Sequence, residues 1–200
     1  MRWAPDGSAE ARRPGQRLIV LACEIVRGIV RRAAPSEACT TMQSEYFQDY
    51  MPGNVCFGCG SLNPDGLQIK SRWEGDEGVC VWHSQPKYHG WETVMNGGVL
   101  ATLIDCHCMG TALAAAYKAE GREMATEPVY RYATVRISVN YLKPTPNDKP
   151  VELRARVLEL KGRKATLACQ VFAEGQVTAD AEVVGIRVLE GEAKEGSPFR

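Results

Sequence analysis

This 200-residue sequence predicts an α+β fold, with one face of an antiparallel sheet covered by a single long helix. Three observations predict it. Val99–Tyr117 is dominated by Ala, Leu and Met and contains no Pro, so it reads as the helix. Ahead of it, Leu67–Trp73 and Val79–His83 alternate apolar and polar residues around Glu74-Gly-Asp76, as a β-hairpin does. After it come four strand-like runs: Val135–Tyr141, Val151–Leu160, Ala165–Ala173 and Val177–Val188. Lys161-Gly-Arg163 and Glu174-Gly-Gln176 separate the last three as tight turns. Lys143-Pro-Thr-Pro146 stops the first, because proline cannot donate to a sheet. In that first run Val135, Ile137, Val139 and Tyr141 are expected on one face and Arg136, Ser138 and Asn140 on the other.

Composition narrows the function classes. The 24 basic residues balance 24 acidic ones, so there is no surface-wide field to attract nucleic acid, and no nucleic-acid partner is expected. The eight cysteines are scattered, and several sit inside apolar runs as buried thiols do, which favours a reducing, cytoplasmic setting. Residues 17–32 read as the only membrane-like stretch and are interrupted by Glu24 and Arg27, so neither a span nor a membrane partner is expected.

Composition changes near residue 41. Residues 1–41 hold seven Arg and no Lys, and residues 42–200 hold nine Arg and eight Lys. The first segment reads as irregular chain with one amphipathic helix over 17–33. It is an appended helix, an Arg-rich targeting segment, or a segment ahead of a true start at Met42. Asp6, Glu10 and Glu24 weigh against targeting. The expected organisation is an extension over 1–41, a folded domain over 42–190 and a disordered tail over 191–200.

Between Glu92 and Lys118 the only charged side chain is Asp105. A helix apolar on nearly every face is buried, and Asp is a poor helix-interior residue. A buried, unpaired carboxylate costs several kcal/mol or titrates high, as perturbed acids at functional sites do. A structural reading, in which Asp105 meets a backbone N–H or a cation, stands beside the functional one. Asn96-Gly97-Gly98 opens the helix: Asn caps it, the glycines admit close approach, and the unpaired first amides can hold a developing oxyanion. Gly97 and Asp105 are eight residues apart, about 12 Å along a helix. If both act on one carbonyl, they come from different subunits.

These residues carry a resemblance. Cys56-Phe-Gly-Cys-Gly60, Asn63-Pro-Asp-Gly-Leu67, Gly97-Gly-Val-Leu-Ala-Thr-Leu-Ile-Asp105, Met109-Gly110 and Asn140-Tyr-Leu-Lys-Pro144 resemble, in that order, hotdog-fold thioesterases of the phenylacetic-acid-degradation (PaaI-like) type. The likeness spans about residues 54–188. It implies a hotdog fold, an antiparallel sheet wrapped around the helix, and hydrolysis of acyl-CoA to free acid and CoA at a subunit interface of a homodimer or homotetramer. It also implies roles: the Gly97 amide polarises the thioester carbonyl, Asp105 acts as general base or nucleophile, and the Thr134 hydroxyl orients water. His89 matches, within one residue, a polar position near the thioester; with Asn96 and Gly98 it is a substrate-binding candidate. Where the family has His at the helix entrance, this chain has Asn96. That departure keeps open a non-catalytic acyl-CoA-binding protein, and His89 keeps open a hydratase or dehydratase.

Other residues carry duller expectations. Cys56 and Cys59 supply only half of a four-ligand zinc set, and consecutive Cys106, His107 and Cys108 point about 100° apart, so neither a metal nor a cofactor is expected. His107 reads as packing. Tyr88, Trp82 and Trp91 read as either pocket wall or core. Arg131, Arg136, Lys143 and Lys149 are assigned no phosphate contact.

Overall fold

A computed structural model of the chain describes residues 45–190; the expected extension over 1–41 and tail over 191–200 lie outside them. Its centre is α1 (Gly97–Ala119), two residues longer at each end than the periodicity suggested. Leu103, Ile104, Cys108 and Ala112 are fully buried on it, and burying each large aliphatic contributes about 1.5–3 kcal/mol. Among the described residues α1 alone is long and apolar enough to cross a bilayer. Two-thirds of its most apolar window is instead buried inside the protein.

What buries it is a six-stranded antiparallel sheet. The strands are β1 (Arg72–Glu74), β2 (Glu77–Trp82), β5 (Tyr130–Tyr141), β6 (Val151–Lys161), β7 (Lys164–Ala173) and β8 (Gln176–Glu190), in spatial order β1-β2-β6-β7-β8-β5. Two short strands, β3 (His89–Trp91) and β4 (Val94–Met95), form a separate ribbon in the loop before α1. Alternation sorts the faces of β6, β7 and β8. Val151, Leu153, Ala155, Leu167, Cys169, Val171, Ala179 and Val183 join the core that includes α1. Away from it, Arg154 binds Glu74, Glu77 and Glu152, a surface network. The β7–β8 turn at Glu174-Gly175 has positive φ at both residues, the signature of a type I′ hairpin.

Two expectations need correction. The strand over Leu67–Trp73 shrinks to β1. Leu67, Ile69 and Ser71 keep the buried alternation, but Gln68 has φ of 54° and the Leu67 and Ile69 amides bond to Phe57 and Gly58 carbonyls. The 56–60 turn, not β2, takes those hydrogen bonds. The strand expected at Val135–Tyr141 begins at Tyr130 and is irregular: Thr134 pairs with Gly185 and Arg136 with Val184, leaving Val135 as a bulge. Arg136 and Asn140 do face away from the helix, bonded to Glu182 and Asp180. The bulge switches the strand's parity, so that Thr134 and Tyr141, an odd number of residues apart, both reach α1.

A buried polar chain ties α1 to its surroundings. His107 Nε2 meets the Gly78 carbonyl at 3.1 Å and Nδ1 meets Ser71 Oγ at 2.9 Å. Gln48 completes it, donating to Ser71 Oγ and accepting from the Ser71 amide. Nε2 must be the donor, since a carbonyl only accepts. Burial depresses the imidazole to about 4, so it stays neutral. Gly78 is held tightly here: a Cβ on it would lie 2.2 Å from Thr111 Oγ1. Gly78→Ala is expected to cost about 1–3 kcal/mol through overpacking, read as a lower urea midpoint at unchanged m-value. An unchanged midpoint would show that β2 can yield at no cost.

Candidate active site

Asp105 sits in the first half of α1, half-buried, where the helix faces a gap between β5 and the loop at residues 51–56. The gap is a cavity of about 430 Å³, walled by Asn54, Cys56, Met109, Leu113, Tyr132 and Thr134 among others. Arg131 helps to close it, its Nη2 lying 3.3 Å from the Pro52 carbonyl. Thr134 Oγ1 donates to Asp105 Oδ1. Burial raises the Asp105 carboxyl above the ordinary carboxylate range; the Thr134 hydrogen bond pulls the other way, and nearby Cys56 adds to the rise. No cation neutralises it among the described ion pairs, so the structural reading with a buried Arg or Lys partner does not apply.

The structure brings Asp105 and Thr134 together and keeps Gly97 apart. Gly97 lines a different groove with Trp91, Leu100 and Tyr141, and Tyr141 Oη donates to its carbonyl at 2.7 Å. Asn96 caps α1 as expected: its Oδ1 accepts from the Gly98 and Val99 amides at 2.8 and 3.2 Å. The cap passes over Gly97, whose amide has no partner among the described residues. His89 is exposed at the start of β3, paired in register with Met95. Trp82 and Tyr88 are core, with the Trp82 indole donating to the Leu67 carbonyl; Trp91 is 81% exposed. Lys143 and Lys149 bond to Gln176 and Asp148.

Sequence reasoning missed Tyr132 as a cavity residue, because the strand containing it was started too late. It also missed a third thiol. Cys56, Cys59 and Cys106 place their sulfurs within 4.8 Å of one another beside Asp105. The Cys56 thiol is held far below its ordinary range, first by the hydrogen bond with Cys106 and then by that with Cys59. The Cys106 thiol is pushed far above it by its hydrogen bonds with Cys56 and Cys59 and by burial.

A single helix held by a large antiparallel sheet, with a cavity against one helical carboxylate, defines a protein of the hotdog fold. Comparison with known proteins extends this. Residues 92–179 match the sequence model of the thioesterase superfamily, and the chain resembles the hotdog acyl-CoA thioesterases in sequence and in architecture. It is 25% identical over 111 residues to acyl-coenzyme A thioesterase THEM4 of Bos taurus, covering 54% of this chain and 39% of that one. The chain thus spans well under half the length of that relative. A thioesterase superfamily protein from Shewanella loihica PV-4 superposes with a TM-score of 0.50 at 27% identity, over 60% of this chain and 90% of that one. A thioesterase from Haemophilus influenzae gives a TM-score of 0.54 at 14% identity, over 66% and 85% of the two chains, a likeness of fold alone.

Asn96→Ala is expected to lower stability by about 1 kcal/mol, since two first-turn amides lose their acceptor. Asn96→Asp should restore most of it in thermal unfolding. Equal stability of all three chains would mean that water replaces the cap at no cost.

Proposed function

We propose that the protein hydrolyses acyl-CoA thioesters, with Asp105 as the catalytic carboxylate. The observation that carries this reading is a carboxyl group without a cation, raised by burial, hydrogen-bonded to Thr134 and open to a cavity. A carboxylate poised in this way abstracts a proton from water, or attacks the thioester carbon itself, more readily than a solvated one. Thr134 Oγ1 holds the carboxylate in place and offers its oxygen to the attacking water. The carbonyl oxygen needs donors as it becomes an oxyanion, and the Gly97 amide at the start of α1 is suited to that role.

Gly97 and Asp105 line separate cavities in one chain, so the complete site would join two copies. The surface for a second copy is β5, the longer of the two edge strands of the sheet, where Val135 and Tyr141 are 63% and 53% exposed. A long apolar strand edge left bare invites pairing. The protein then works as a homodimer or a dimer of dimers. His89, Asn96 and Gly98, exposed around the helix entrance, would meet the substrate there. Support for the substrate class comes from the bovine relative's name and from the fold likeness to a Streptococcus pneumoniae protein solved with coenzyme A, with a TM-score of 0.51 at 13% identity. That second chain is covered to 88% and this one to 62%. One observation favours a non-catalytic acyl-CoA binder: the Asn96 carboxamide oxygen is spent on capping, leaving only its amide for substrate.

Thiol release from short, medium and aromatic acyl-CoAs tests the reading. Asp105→Asn is expected to lower kcat/KM by about 10²–10⁴-fold with the fold intact by circular dichroism. Wild-type turnover in that variant would sink the assignment, and wild-type protein that binds CoA tightly but hydrolyses none of the esters would favour the binder. Mixing Asp105→Asn chains with Gly97→Val chains should recover part of the activity that each lacks alone, because mixed dimers hold one intact site. No recovery, with mixed dimers demonstrated by mass, would place both residues outside a shared site.

A further inference from the structure

We propose that Cys56, Cys59 and Cys106 form a three-thiolate site for one zinc ion, the fourth position being taken by a water from the Asp105 cavity. The three sulfurs converge from two parts of the chain, the 56–60 turn and the middle of α1. The Cys56 and Cys106 sulfurs lie 3.7 Å apart. A tetrahedral ion with Zn–S bonds of about 2.3 Å requires sulfurs about 3.8 Å apart. A disulfide needs about 2.05 Å and would leave one sulfur of the three unused. Among the described residues these cysteines are unbridged.

The turn is also shaped as a ligand loop. The Gly58 amide donates to Cys56 Sγ at 3.3 Å, and Asn54 Nδ2 reaches Cys59 Sγ at 3.5 Å. Each loop sulfur therefore has an N–H donor of its own, the kind of partner that orients and stabilises a metal-bound thiolate. Asn54 Oδ1 accepts from the Cys56 amide at 3.0 Å, fixing the start of the turn. A Cβ on Gly58 would lie 2.3 Å from Cys106 Sγ, so a residue without a side chain is what lets the turn press against the helix. Asp105 lines the same cavity but stands outside the sulfur cluster. The set of three soft ligands with one open side suits zinc over magnesium or calcium, which take oxygen ligands. Bound there, the ion ties the 51–60 loop to α1 and so fixes one wall of the cavity. Zinc binding by these thiols is independent of thioesterase activity.

The test is metal binding by the full chain, fully reduced. Purified protein is expected to take up one zinc per chain, displaceable by cobalt, with the thiolate-to-cobalt charge-transfer band and intense visible bands of a tetrahedral site. Cys56→Ser, Cys59→Ser and Cys106→Ser should each weaken zinc binding by more than about 100-fold, and Asn54→Ala by about 10–100-fold, the range for an outer hydrogen-bond partner. Cys169→Ala, on β7, should leave it unchanged. If Cys106→Ser does not fold, the exposed Cys56 position and the wild-type cobalt spectrum decide. Absence of stoichiometric uptake by the wild type, or wild-type affinity in a folded Cys56→Ser chain, overturns the proposal.

Discussion

The fold depends on one constraint: α1 is apolar almost all round and must be enclosed, yet it carries a carboxylate in its interior. A sheet that covered every face of the helix would strand that charge. The described sheet instead leaves α1 open along the line where β5 and the 51–56 loop stand apart, and Asp105 looks into that opening. The cost of burying a carboxylate is not removed by a cation; it is moderated by one hydroxyl and by the cavity. This is why the same residue is both the weakest point of the helix as a packing element and its best candidate for chemistry.

Much of this was legible in the sequence. The helix declared itself by composition and by Asn96, whose capping bonds are those expected of an Asn before two glycines. The hairpin turns at Gly75, Gly162 and Gly175 fell where Gly interrupted alternating runs. The isolation of Asp105 needed only a count of charges between Glu92 and Lys118. The separation of Gly97 from Asp105 needed only the rise of a helix.

What escaped was non-local. Nothing near Leu67–Ile69 says that the Leu67 and Ile69 amides are claimed by the 56–60 turn, because that pairing is chosen by tertiary packing and by a left-handed Gln68. The bulge at Val135 hides inside what reads as unbroken alternation, and with it went the early start of β5 and Tyr132's place in the cavity. The meeting of three cysteine sulfurs was hidden for a related reason. Spacing shows correctly that Cys106, His107 and Cys108 cannot share an ion, but not that the fold selects Cys106 alone and carries it to a pair fifty residues upstream. His107, by contrast, is spent on holding Ser71 and Gly78, as its packing role implied.

The bulge in β5 also limits how this chain can vary. Thr134 and Tyr141 touch the same helix only because one residue between them is not counted by the ladder with β8. Losing or gaining a single residue there would swing one of the two side chains to the outer surface, however conservative the change in composition. Drift in this stretch is therefore confined to substitution, and the length from Thr134 to Tyr141 is a fixed dimension of the molecule in a way that its individual side chains are not.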